Sequence, residues 1–169
     1  MRRFRRSDAL SIYQNVKYKE ISRYTNIPHP YTLENARSFI RRTHRGLKNG
    51  TAYELGVELK NTGQIIGGIG LLKIDRRSKN AEVGYWLSKK YWGQEIASEA
   101  LKLILDFGFK KLKLMRFYAR VMHPNIASMK LLEKAGFKYE GRMRKHIFKN
   151  GKWMDELRYA ILREEHEKL

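Results

Sequence analysis

The chain has 169 residues, 42% of them apolar, and no cysteine. One globular body of ordinary core size is expected, and disulfides, thiolate metal sites and a cysteinyl acyl-enzyme are excluded. Lys and Arg number 36 against 17 Asp and Glu, a net charge of +19. A surface this basic draws polyanions such as nucleic acid, acidic proteins or phosphorylated cofactors, although a heat-adapted Lys/Arg/Glu-rich surface gives the same count. No apolar run is long enough to span a bilayer, and the basic start "MRRFRRSDAL" lacks the apolar stretch of a secretory signal, so a cytoplasmic protein is expected. The histidines are scattered without ligand spacing, so no metal is expected.

In chain order, "RFRRSDALSIY" predicts a short strand leading into a helix capped by Ser7 or Asp8. "NIPHPYT" carries two prolines and breaks the chain. "TLENARSFIRRTHRGLKNG" predicts a helix opened by Thr32 with Asn35 three residues on, and with Leu33, Ala36, Phe39 and Ile40 on one face. The period then changes to two. "AYELGVELK" and "QIIGGIGLLKI" read as a hairpin across "NTG", and "NAEVGYWL" as a third strand. A helix follows with Ile96, Ala100, Leu103, Ile104 and Phe107 as its buried face and Gly108 near its end. "LMRFYARVM" is a strand, "HPNIASMKLLEKAGF" a helix from Asn125 to Gly136, and "KYEGRMRKHIF" and "WMDELRYAIL" a hairpin turning at Asn150-Gly151. The order predicts an α/β or α+β fold, a mixed sheet with helices on its faces, in one domain over residues 1–169.

Between the third strand and its helix lies "YWGQEIASEA". A strand-to-helix turn of this kind offers backbone N–H groups to an anion, and small residues let the anion approach. Glu95 puts a carboxylate in its middle. It either tolerates a phosphate nearby or simply favours the start of a surface helix. A residue in a first helical turn is expected to be right-handed, so glycine is not required there for φ.

Five stretches together resemble the GCN5-related N-acetyltransferase (GNAT) superfamily, and within it the Rim-type ribosomal-protein N-terminal acetyltransferases. They are "NIPHPYTLENARSFI", "TGQIIGGIGL", "AEVGYWLSKKYWGQEIASEAL", "RVMHPNIASMKLLEKAGFKYEG" and "IFKNGKWMDELRYAIL", in family order. The resemblance implies acetyl-coenzyme A as donor, a primary amine as acceptor, and the diphosphate held by Trp92, Gly93, Gln94, Glu95, Ile96 and Ala97. Glu95 stands where the family usually has glycine. The resemblance also implies that backbone N–H groups around Tyr85, Trp86, Leu87 and Ser88 polarise the thioester carbonyl where the family's sheet splays.

Acetyl transfer to an amine needs a neutral amine, a polarised carbonyl and a proton for the leaving thiolate. Direct attack in a ternary complex is the simplest route without a cysteine. Glu82 aligns with the glutamate that some family members use as base, and strand alternation puts it on a face with Gly84 and Trp86. The alternative is an ion pair with a nearby Lys or Arg, and both readings stay open. Glu54 and Glu58 are reserve bases, with solvated surface as their plainer reading. The family's usual tyrosine acid falls on Leu132 here. The resemblance offers Ser128 as the acid and Asn125 as a contact to the pantetheine arm, while a plain helix cap explains the same pair. Trp86, Tyr91 and Trp92 can equally be packing aromatics. A protein or peptide N-terminus, on an acidic or ribosome-bound protein, suits the +19 charge better than a cationic polyamine. A basic nucleic-acid-binding module, for which no motif speaks, and an idle coenzyme A binder are the rival readings.

Overall fold

A computed structural model describes residues 1–168. Six extended stretches pair into one sheet: β1 (Tyr53–Glu58), β2 (Ile65–Asp75), β3 (Asn80–Leu87), β4 (Arg116–Met122), β5 (Lys138–Lys149) and β6 (Lys152–Leu162). Their order is β1-β2-β3-β4-β6-β5, antiparallel everywhere except between β3 and β4. This is the mixed, mostly antiparallel sheet expected from the pattern. Asn150 (φ 51°) and Gly151 (φ 73°) are both left-handed, which gives the β5–β6 hairpin the two-residue turn that matches strand twist.

Helices α1 (Ala9–Val16), α2 (Lys19–Arg23) and α3 (Leu33–Asn49) precede the sheet, and α1 and α3 cover one face of it with Phe4, Ile12, Ile40 and Ile65. α4 (Ile96–Asp106) and α5 (Ile126–Lys134) belong to the opposite face, where Leu71, Val83, Leu101, Ile104 and Phe117 form the larger core. A short α6 (Arg163–His166) ends the fold. No helix among the described residues is long and apolar enough to cross a membrane.

Local chemistry explains the helix ends. Thr32 Oγ accepts from Asn35 N–H (3.1 Å) and Asn35 Oδ1 accepts from Thr32 N–H (2.8 Å), a reciprocal cap that starts α3 where the sequence placed it. Asn125 caps α5 by accepting from Ser128 N–H. Asp8 stands at the N-cap of α1, yet its carboxylate turns back onto Arg2 (2.8 and 2.9 Å) and Arg5 N–H (2.6 Å). The expected first strand is a single bridge, Arg2 to Gly56.

The buried face of α4 is rotated from expectation. Ala100, Leu101, Ile104 and Leu105 are buried, whereas Leu103 is 47% exposed. The stripe continues into Gly108 and Phe109 of a π turn over Phe107–Lys111, so Gly108 does not end the helical run. A Cβ at Gly108 would lie 2.2 Å from the Phe117 ring and 2.8 Å from Leu71, so only glycine lets this turn reach β4. Gly108→Ala is expected to cost roughly 1–3 kcal/mol through overpacking, seen as a lower urea midpoint. An unchanged midpoint would show that the turn is free to move away.

Candidate active site

The turn after β3 begins at a 3₁₀ segment, Lys89–Tyr91, and is fixed to the sheet by Trp92, whose indole N–H donates to Leu87 O (2.8 Å). Among the described residues, the N–H groups from Gly93 to Ser98 have no acceptor within the chain. Unpaired amides in succession at the start of a helix are the ordinary means of binding an anion. Gly93, left-handed at φ 74°, has nothing within 4 Å of where a Cβ would stand, so the approach is open. Gln94 turns its side chain away, to Lys90 O (3.0 Å).

Glu95 departs from expectation. It is the N-cap of α4 with φ 60° and ψ −4°, a left-handed residue rather than a right-handed first-turn one. A left-handed backbone costs an L-residue with a side chain roughly 1–2 kcal/mol. Glycine at this position would therefore serve conformation as well as room. The carboxylate itself points outward, 68% exposed, to Lys134 Nζ on α5 (2.5 Å). Lys134, and then the Ser98 hydroxyl, hold it below the usual carboxylate range.

The second part of the site is a fork in the sheet. β3 pairs with β4 only from Asn80 to Glu82, opposite Arg116 to Tyr118, and the two strands then part around a cleft of 360 Å³. Ser88 N–H donates to Ile66 O on β2 (2.8 Å). Strand alternation turns Trp86 N–H the same way, and turns those of Tyr85 and Leu87 into the opening. Of the four residues expected to offer amides to a carbonyl, Trp86 and Ser88 thus spend theirs on the sheet.

Alternation also puts the Tyr85 side chain on the α5 side, where its hydroxyl lies 2.6 Å from Ser128 Oγ. Burial pushes the Tyr85 phenol up to about 12, with the Ser128 hydrogen bond opposing, so it stays protonated at working pH. Asn125 and Ser128 both border the cleft. Leu132, the position of the family's tyrosine, is fully buried in the core.

Glu82 borders the same cleft, but its carboxylate is engaged. Oε1 takes Arg120 Nε and Nη2 (both 2.8 Å), and Oε2 lies 2.9 Å from Lys73 Nζ. Arg120 extends toward buried Glu156 (3.8 Å), which Arg158 also meets at 2.6 Å. The ion-pair reading is the one this geometry supports. As a base Glu82 would first have to give up the Arg120 contact, while its Oε2, beside Lys73, has no hydrogen-bond partner among the described residues. Glu54, expected as solvated surface, is instead partly buried in a cleft that Tyr85 and Trp86 also border, its side chain 12% exposed.

Three comparisons bear on this geometry. The family model described as "Acetyltransferase (GNAT) domain" matches residues 1–138. The chain belongs to the GNAT acetyltransferase family. It is an acetyl-coenzyme A-dependent N-acetyltransferase, as the resemblance implied. It is similar to the uncharacterized N-acetyltransferase p20 of Bacillus licheniformis, 32% identical over 167 residues, 98% of this chain and 93% of that one. It is also similar to the spermidine N(1)-acetyltransferase of Escherichia coli K12, 30% identical over 104 residues, 62% of this chain and 56% of that one. Among solved structures, the ribosomal-protein-S5-alanine acetyltransferase from Vibrio fischeri superposes with a TM-score of 0.86 at 27% identity, covering 95% of this chain and 91% of that one.

The residues present fit coenzyme A: free amides from Gly93 to Ser98 suit a diphosphate, and the unpaired edges of the fork suit an amide-bearing arm. Sequence reasoning missed three contributors. The Tyr85 hydroxyl was legible from strand alternation, since it falls on the face opposite Glu82. Arg120, two residues past the last position at which β4 pairs with β3, carried no signal. Lys149 donates to Ser22 O and Thr25 O and so ties the β5–β6 hairpin to the loop bordering the cleft. It too could be found only in three dimensions.

Glu95→Gly relieves the left-handed turn and removes a carboxylate from the anion site, at the loss of one exposed ion pair. The expected result is a higher melting temperature and a lower Kd for coenzyme A by calorimetry. Weaker coenzyme A binding would mean that the Glu95–Lys134 pair shapes the turn.

Proposed function

We propose that this N-acetyltransferase acts on the N-terminal amine of a protein or peptide, by direct attack of the amine in a ternary complex. Coenzyme A supplies the acetyl group as a thioester. The N–H groups from Gly93 to Ser98 hold the diphosphate, with Trp92 anchoring that turn. Tyr85 and Leu87 amides, unspent on the sheet, polarise the carbonyl in the fork.

The observation that carries the chemistry is the 2.6 Å contact between Tyr85 and Ser128 at the fork. Ser128 presents a hydroxyl to the departing sulfur, hydrogen-bonds it as charge develops and passes it a proton. Tyr85, held neutral by burial, orients that hydroxyl and replenishes it. Asn125 serves twice, as helix cap through Oδ1 and as a polar contact to the pantetheine arm.

A polypeptide acceptor is favoured by the hairpin beside the cleft. Phe148 and Trp153 are 61% and 60% exposed there, with ring centroids 5.0 Å apart. Such a pair gives a chain a surface to rest on, and a small amine has no use for it. A polyamine needs several unpaired carboxylates, and Glu82 and Glu156 are already matched by Arg120, Lys73 and Arg158.

Ser128→Ala is expected to lower kcat roughly 100-fold with coenzyme A affinity kept, and Tyr85→Phe to lower it less. Stopped-flow thiol release with separate calorimetry checks both, and unchanged kcat in Ser128→Ala removes the proposed acid. Thiol release with peptides differing at their first two residues, against spermidine, tests the acceptor. Turnover of spermidine above every peptide would overturn the N-terminal reading.

A further inference from the structure

A second cleft, of 400 Å³, opens on the α1–α3 face of the sheet and is bordered by Tyr31, Phe39, Glu54, Tyr85 and Trp86. It meets the fork's cleft at Gly84 and Tyr85, which border both. Register explains the hollow: Glu54 pairs with Gly70, and Gly70 with Gly84, while Gly68 lies opposite Trp86. A Cβ at Gly68 would stand 2.5 Å from the Trp86 indole nitrogen, so the floor is bare backbone under aromatic walls.

The Glu54 carboxylate stands in this largely apolar surround with one charged neighbour among the described residues, Arg42 on α3, at 3.4 Å. Arg42 is 67% exposed and lies over the Phe39 ring, 5.2 Å from its centroid, so the pair is loose and solvent-screened. Burial, with Arg42 opposing, raises Glu54 above the usual carboxylate range. The other titratable groups bordering this cleft are Tyr31, before α3, and Tyr85, on β3, whose hydroxyl lies on the opposite face against Ser128. Both are pushed up to about 12 by burial and stay neutral. Glu82 is held by the partly buried Arg120 at 2.8 Å, whereas the exposed Arg42 leaves Glu54 lone pairs to give.

We propose that this cleft seats the acceptor and that Glu54 binds the acceptor's ammonium and takes its proton, the aromatic walls selecting an amine carried on an apolar group. The assignment rests on the transferase reading above and names the class of acceptor. One proton passes from the ammonium to the Glu54 carboxylate. The freed lone pair forms the C–N bond to the acyl carbon as the C–S electron pair leaves onto sulfur. Sulfur takes a proton through Ser128, and the nitrogen's second proton leaves to water. Glu54 then returns its proton to solvent, a net release of one proton per amide formed. With an ordinary carboxylate as base, kcat/KM falls as pH drops through the raised Glu54 value.

Calorimetry without acetyl donor tests this with phenylalanine amide, N-acetylphenylalanine amide, glycine amide and spermidine. Phenylalanine amide is expected to bind at least about tenfold more tightly than the other three, and Glu54→Gln to weaken it about tenfold or more, as loss of a charge-assisted hydrogen bond does. Glu54→Gln is also expected to abolish the acidic limb of the kcat/KM profile while leaving the coenzyme A-induced rise in melting temperature intact. No binding of phenylalanine amide, equal binding of its acetylated form, preference for spermidine, or wild-type affinity in Glu54→Gln each overturns the assignment. If coenzyme A still stabilises the protein, the transferase reading survives that failure. If coenzyme A fails to stabilise the wild type, that reading falls and this assignment with it.

Discussion

Hydrogen bonding between β3 and β4 stops at Glu82 and Tyr118, and the backbone beyond that point is left open on both strands. An unpartnered buried amide costs about 1–3 kcal/mol, so a sheet does not part in its middle without support. The support is visible on all sides. Glu82, in the last β3–β4 pair, reaches across to Arg120, two residues past its partner Tyr118, and the two charges pin the fork. Ser88 keeps the far end of β3 on β2, and Trp92 ties the following turn to Leu87 O. The opening is therefore held at both ends, and the amides of Tyr85 and Leu87 stay available within it.

From that constraint the positions of the other groups follow. Because the fork is a gap in the sheet, it is reached from both faces. Tyr85 meets Ser128 of α5 from one side, and the glycine-floored cleft with Glu54 arrives from the other. The net charge of +19 has little bearing on these short distances, since each carboxylate at the fork has its own cationic partner. Surface charge acts on encounter, and the site's selectivity lies in its buried contacts.

Where a local rule decides the backbone, the sequence was sufficient. Thr32 with Asn35, Asn125, and Asn150 with Gly151 all specify a helix start or a turn through bonds within a few residues, and each element stands where it was read. The free amides after Trp92 could be placed on the same grounds. Legibility ended where non-local packing decides. The α4 stripe is set by how Gly108 meets Phe117, which periodicity within the helix does not contain. The left-handed turn at Glu95 runs against the preference of its own residue type and is held by its surroundings. Glu82 was read as base or ion pair because its ionic neighbours, Lys73 and Arg120, are brought to it only by the register of neighbouring strands.

An NMR titration of labelled protein with coenzyme A examines the fork most directly, residue by residue. The account predicts that the amide resonances of Gly93 to Ser98 and those of Tyr85 and Leu87 shift together, while Trp86 and Ser88, bonded into the sheet, move little. Shifts confined to the turn, or Trp86 and Ser88 moving as far as Tyr85 and Leu87, would contradict an open fork as the seat of acetyl transfer.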